Sequence, residues 1–338
     1  MATNAPPTVD LPLEEIRDLT HACLSRAGAD EANAAAVART VWTAERDGSV
    51  SHGLFRAPGY VASLQSGKAN GTADPRPERV TPSLIRCDNQ RGYAPLALER
   101  CAEPLAEAAR ETGVGVLALT HSHHFAALWP ETEMLAERGL VGIACVSHSP
   151  MVAPAGGKEK FFSTNPISFA WPRPGKDPLV FDMATAAMAK GEIQVAARDG
   201  HSVPLGVGLG PDGEPTTDPA KIAEGVLLPF GGYKGSAIAM MVELLAGALV
   251  GECFSFEAGE RDNKDGGPVM GGEFVLALSP EWLSGGGWAD HAAGFFGRLE
   301  AMEGVRLPGE RRFRNRLDTG PRSVNAALVE KLRGLATG

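Results

Sequence analysis

Three consecutive segments near the middle of the chain constrain its fold most. Residues 114–119 are a small-to-apolar run bounded by Gly113 and Thr120, and residues 140–146 are a second such run. Neither alternates polar with apolar residues, so each predicts a buried strand. Between them, residues 131–138 predict a helix that stops at Gly139. Strands alternating with helices point to α/β architecture with mixed sheets. The chain has 338 residues, enough for about two domains at roughly 150 residues each. A chain of that size buries a full core without disulfides or a structural metal.

The flanks are less regular. Apolar spacing predicts helices over residues 10–27 and from Asp30 to about Asp47, with Asp30 as a capping residue. A third helix is expected over 52–66, with Pro58 as a source of kinking. Further helices are expected over 95–111, 184–197, 236–250 and 288–304, and strands over 179–181 and 274–278. Residues 199–219 and 257–272 read as turn-rich loops, and residues 306–316 as a basic segment.

Composition excludes several classes. The formal net charge is −9, which disfavours nucleic acid and anionic membrane as partners. The five cysteines form no CxxC pair, so neither a zinc ribbon nor a disulfide framework is expected, and scattered thiols fit the cytoplasm. The first residues lack a basic start and an apolar stretch, so no signal peptide is expected. The apolar run 236–250 is interrupted by Glu243 and is shorter than the roughly 20 residues a membrane span needs.

Several motifs could carry chemistry. Residues 208–213, GLGPDG, match GxGxxG literally, but no strand precedes them and Pro215 and Pro219 follow, so they read as a turn. Residues 230–236, FGGYKGS, open a helix with glycines and a lysine, which suits either an anion or a plain loop. His121, His123 and His124 follow a strand end; a metal, a polar cofactor contact and a solvated loop are all open there. The stretch 47–56, DGSVSHGLFR, is the most informative. On a helix, His52 and Arg56 stand at i and i+4 on one face. Arg56 offers a fork for a carboxylate. An imidazole in a first helical turn is disposed to give up its proton, as a general acid does. Together they suit a carboxylate beside a reducible C=N or C=O. Asp182 follows a strand and could bond a ribose hydroxyl or an amide, or cap a helix; Glu192 could orient a histidine or face solvent.

These motifs occur together, in order, in one family. The segments SHGLFR (51–56), HHFAALWPE (123–131), FFSTNPISFAWP (161–172), FDMATAAMAKG (181–191), GEPTTDP (213–219), FGGYKGSAIAMMVELLAGAL (230–249) and LPGERR (307–312) span nearly the whole chain. The chain resembles the malate/L-lactate/ureidoglycolate dehydrogenase family, and HHFAALWPE is similar to its Δ1-piperideine-2-carboxylate/Δ1-pyrroline-2-carboxylate reductase branch. The resemblance implies a non-Rossmann NAD(P)-binding α/β fold with mixed sheets and surrounding helices. It implies NADPH-dependent reduction of cyclic imino acids to L-pipecolate and L-proline by a homodimer. The alternative is a dehydrogenase of an open-chain 2-hydroxy acid such as malate, lactate or ureidoglycolate. A substrate region over 1–112, joined by 313–338, and a cofactor domain over 113–312 are expected.

Residue by residue, the resemblance implies His52 as proton donor, relayed with Ser51 and Glu192, the last standing where the family has aspartate. It implies substrate contacts from Arg56, Thr164, Lys190 and Gly191. It implies a cofactor site of His124, Phe125, Ala126, Ala127 and Leu128, then Asp182, Met183 and Ala184. Tyr233, where related reductases have histidine, and Arg306, Leu307, Pro308, Gly309, Glu310, Arg311 and Arg312 complete it. Arg311 and Arg312 are expected to face a 2′-phosphate, which favours NADP. No metal is expected.

Overall fold

The computed structural model describes residues 7–123 and 127–337. The chain opens with β1 (Thr8–Leu11), α1 (Leu13–Arg26) and α2 (Glu31–Arg46). Two 3-10 turns, Val50–His52 and Leu54–Arg56, then lead into α3 (Ala57–Gln65). Asp30 caps α2 through the Asn33 N–H, as its position predicts. The apolar faces of these helices meet around Ile16, Leu24, Val37, Val41, Leu54 and Tyr60.

The expected helix over 52–66 is therefore corrected to two tight turns followed by a shorter helix. Pro58 sits in the first turn of α3, where its missing N–H costs nothing. The break falls at Gly53, because the Leu54 N–H bonds the Glu45 side chain instead of a helical carbonyl.

Next come β2 (Glu78–Thr81), β3 (Leu84–Asp88), α4 (Ala94–Thr112), β4 (Val114–His123), α5 (Trp129–Glu137), β5 (Val141–Val146), β6 (Ile167–Trp171) and β7 (Leu179–Met183). They are followed by α6 (Lys190–Asp199), β8 (Gly208–Leu209), α7 (Pro219–Glu224), β9 (Val226–Leu227) and α8 (Tyr233–Glu243), which continues as a π-helical segment, Leu244–Leu249. The chain ends with α9 (Ser255–Glu260), β10 (Met270–Leu278), α10 (Pro280–Ser284), α11 (Trp288–Glu300), α12 (Glu310–Leu317), β11 (Arg322–Asn325) and α13 (Ala326–Thr337).

Seven strands form one mixed sheet in the order β2-β3-β4-β10-β5-β6-β7. β4 and β5 run in the same direction, as a strand–helix–strand connection requires. They are not neighbours, because β10 inserts between them and pairs antiparallel with both: Phe274 faces Ala118 on one side and Cys145 on the other. α4 and α5 pack on this sheet through Cys101, Leu105 and Leu135 against Leu117, Leu119 and Val275. At the far end β1 pairs with β11, and α13 packs on α1, so the C-terminal segment closes onto the N-terminal helices.

Other expectations shift at their edges. The helix expected over 184–197 begins only at Lys190, because residues before it run extended and Ala187 N–H bonds Leu228 O. The helix expected over 236–250 starts at Tyr233 and that over 288–304 ends at Glu300. Residues 310–316 of the basic segment coil into α12, and the polar stretch 257–272 contains the end of α9 and the start of β10. The GxGxxG match is a turn: Gly208 and Leu209 form β8, Gly213 N–H bonds Gly210 O, and the chain returns as β9.

Candidate active site

A cavity of about 490 Å³ lies between the 3-10 corner, the ends of β5 and β7, the start of α6, the 262–268 loop and α12. Ser51, His52 and Arg56 line it, although they stand on two successive 3-10 turns and not on one α-helical face. His52 Nδ1 is 3.1 Å from Ser51 Oγ. Arg56 Nε donates to Ser51 O at 2.8 Å, and its guanidinium lies 5.4 Å from the Phe55 ring centre. Among the described residues, none accepts from its two terminal Nη groups.

The opposite wall comes from distant segments. Gly191 lets the first turn of α6 dock on the corner; a Cβ there would stand 2.9 Å from Ser51 Cβ. Lys190 also lines the cavity, and its desolvation in the wall, with the charges of Arg56 and Lys160, pushes its amine below the ordinary value. Thr164 is held by its neighbour: Asn165, buried at a positive φ of 37°, donates to Ala239 O and to the buried Glu243 carboxylate. Glu192 is exposed, does not line the cavity, and its carboxylate accepts the Ala189 N–H of its own helix.

Leu128, Asp182, Met183, Ala184, Arg311 and Arg312 line the same cavity, as does Ala127. His124, Phe125 and Ala126 lie outside the described residues. Asp182 Oδ2 accepts the N–H groups of Leu128 at 2.7 Å and Trp129 at 3.2 Å. Asp182 thus caps α5, which precedes it in sequence, and not the helix that follows it, while it also lines the cavity where the expected ligand contact would be made. Arg312 lies over the Trp129 ring at 5.0 Å and donates through Nη2 to Val180 O. Burial lowers its pKa below the usual arginine value, and its buried Nε has no partner among the described residues.

The segment 306–312, expected to hold the cofactor, is divided between two cavities. Arg311 and Arg312 face the inner one. Arg306, Leu307, Pro308 and Glu310 line an outer one of about 850 Å³, with Arg173, Lys176 and Arg314, and Gly309 is the left-handed turn that opens α12. Tyr233 stands at the start of α8, 73% exposed and away from both. The donor set fits an anionic dinucleotide, because cations cluster there and a buried guanidinium N–H lacks an acceptor.

Sequence reasoning missed part of the wall. Asp262, Gly266, Gly267 and Pro268 belong to the segment read as a polar loop. Its Gly-Gly pair presses against α3, and Lys68 pins it with bonds to Asp262 at 3.0 Å and Asp265 at 2.5 Å. Burial opposes ionisation of Asp265, but bonds from Lys68, Ser66 Oγ and the Gly267 N–H outweigh it and hold the carboxyl down at about 2. His148, Ser149 and Met151 also line the cavity, from the end of β5, and nothing local in the sequence marks them. His121 and His123 are taken up elsewhere. His121 Nδ1 lies 3.1 Å from Asp88, and the His123 ring nitrogens lie 3.0 Å from Pro268 O and 3.2 Å from Lys68 O.

Comparison with known proteins decides the family. Residues 11–333 match the malate/L-lactate dehydrogenase family. The chain belongs to it. Among curated relatives, a Δ1-pyrroline-2-carboxylate reductase from Ancylobacter novellus is 45% identical over 332 residues, 97% of each chain. A Δ1-pyrroline-2-carboxylate/Δ1-piperideine-2-carboxylate reductase from Pseudomonas putida is 44% identical, over 97% of this chain and 96% of that one. Among solved structures, Δ1-piperideine-2-carboxylate reductase from Pseudomonas syringae pathovar tomato superposes with a TM-score of 0.91 at 40% identity, covering 97% of this chain and 100% of that one. The protein is thus a nicotinamide-dependent oxidoreductase of mixed α/β fold.

Proposed function

We propose that the protein uses NADPH to reduce cyclic 2-imino carboxylates, Δ1-piperideine-2-carboxylate to L-pipecolate and Δ1-pyrroline-2-carboxylate to L-proline. The observation that carries this reading is the convergence of His52 and Arg56 with Arg311 and Arg312 on one cavity. The relatives named for these two substrates support it.

Bound in the cavity, the nicotinamide supplies a hydride to the C2 carbon of the imine. The chain does the rest. The Nη groups of Arg56, free of acceptors among the described residues, hold the substrate carboxylate bidentately. That grip fixes C2 and the ring nitrogen, and orientation of this kind contributes several kcal/mol or more to the barrier drop, up to about 7–11 in well-oriented cases. His52 gives its proton to the imine nitrogen as charge shifts onto it, and the Ser51 hydroxyl at Nδ1 orients the ring. Thr164 and Lys190 border the substrate, and Gly191 keeps the α6 turn against Ser51. Glu192 caps that turn, so its contribution to the relay is to hold Gly191 in place. Arg311 and Arg312 meet the dinucleotide phosphates, which favours NADP over NAD.

We place the reaction in the cytoplasm, which suits the buried free thiols; no described helix is long and apolar enough to cross a membrane. We propose a homodimer, to be checked by light scattering. The direct test is NADPH consumption across a panel of imino and keto acids. The two cyclic imines are expected to turn over fastest; a hundredfold preference for pyruvate or oxaloacetate would overturn the substrate reading.

A further inference from the structure

Glu45 lies near the end of α2, behind the active cavity and not on its wall. It is 4% exposed. Its Oε1 accepts the Leu54 N–H at 2.8 Å, nine residues on, which closes a loop from α2 to the second 3-10 turn. Ser51 and His52 sit within that loop. Gly53 joins the two turns, and a Cβ there would stand 2.1 Å from the same Glu45 oxygen. The carboxyl thus fills the space that a side chain at 53 would occupy.

The chain entering this loop is fixed from elsewhere. Arg322, on β11, donates to Glu45 O and Arg46 O. The buried Asp47 carboxylate takes bonds from Arg46 and from Arg316 of α12, and Asn315 donates to Asp47 O. Within the loop, the Glu45 carboxyl holds the backbone at the start of the second turn, while the Arg56 side chain ties the end of that turn to Ser51 O of the first. Burial raises its pKa, opposed by the Leu54 N–H and the charge of Arg322.

We propose that Glu45 is a positioning residue that sets the angle between the two 3-10 turns, and so the placement of the His52 imidazole relative to the Arg56 guanidinium. The inference rests on the reading of those two residues as proton donor and carboxylate clamp. Glu45 touches no substrate. It acts by giving the Leu54 N–H an acceptor, and Gly53 acts by leaving room for it. An acceptor is what the site needs, whether or not that acceptor is charged.

The test compares Glu45→Met, which keeps length but offers no acceptor of comparable strength, with Glu45→Gln, which keeps the carbonyl oxygen. Kinetics are read on the imino or oxo acid that the wild-type enzyme reduces, and NADPH affinity by fluorescence titration. Glu45→Met is expected to lose about 10–100-fold in kcat/KM, mostly in kcat, as misplaced catalytic groups do. Its NADPH affinity should stay within about twofold of wild type, and Glu45→Gln should stay within about threefold in kcat/KM. Gly53→Ala, which drives a methyl into the carboxyl, should lose at least about tenfold, and it carries the prediction if Glu45→Met does not fold. Equal rates for the Met and Gln variants, or a Gly53→Ala rate within threefold of wild type, would overturn the inference. Failure of the wild-type enzyme on the imines counts against the proposed substrate alone, because the variant-to-wild-type ratio is read on whatever substrate is turned over.

Discussion

The two walls of the active cavity are built in different ways. The wall with Ser51, His52 and Arg56 comes from one short stretch, set by the end of α2 and two tight turns. The facing wall is assembled over long sequence distances: Asp182 reaches back 54 residues to Leu128, and Arg312 reaches back 132 to Val180. The first wall owes the spacing of its own groups to one segment, although β11 and α12 anchor the chain entering it, whereas the assembled wall owes even that spacing to the packing of the sheet and α12. On this account the first wall carries the proton and the carboxylate grip, and the second carries the dinucleotide. Substitutions should therefore separate into effects on turnover and effects on cofactor affinity.

The largest expected effect lies on the local wall. His52→Ala should cut turnover by about 10²–10⁴-fold while leaving NADPH affinity within about twofold, read by steady-state kinetics and fluorescence titration. A large loss of NADPH affinity in this variant would break the division between the walls. Arg56→Ala should raise the substrate KM by about 10–100-fold, the weight of a charge-assisted hydrogen bond, with a smaller change in kcat.

The assembled wall predicts the reverse pattern. Arg312→Ala should raise the NADPH KM by about tenfold and narrow the preference for NADPH over NADH, with substrate KM little changed. Because Arg312 also packs on Trp129, a thermal melt accompanies the kinetics to separate lost folding from lost affinity.

The smallest effect concerns the 262–268 loop that completes the cavity. Asp265 has its pKa lowered in the fold to about 2 by its bonds to Lys68, Ser66 and Gly267. A depressed carboxyl contributes stability that is fully present above its unfolded pKa, near 4, and is lost as the pH falls through 2. Asp265→Asn should therefore lower the melting temperature at pH 7 and bring its difference from wild type towards zero below about pH 3. A constant difference across that range would remove the Lys68–Asp265 pair from the account.

The same contrast explains what could be read from the sequence. His52 and Arg56 were legible because their spacing is short and their chemistry is local, even though the segment coils as 3-10 turns where a helix was expected. The strands at 114–119, 140–146 and 274–278 are legible as apolar runs, but the insertion of β10 between β4 and β5 is not, because a strand order depends on pairing across the whole sheet. For Asp182 the sequence offers a ligand contact or a cap for the next helix; the helix it caps is α5, through Leu128 and Trp129, which lie upstream. Glu45 carried no signal of its own, since a glutamate near a helix end usually faces solvent. Family resemblance supplied the order of the cofactor segments, and the structure divided 306–312 between two cavities in a way no motif indicates.

The most direct measurement is a crystal structure of the protein with NADP and L-pipecolate or L-proline. The account predicts the ligand carboxylate within hydrogen-bonding distance of the Arg56 Nη atoms and the ring nitrogen facing His52. A bound ligand from which both side chains point away would contradict it.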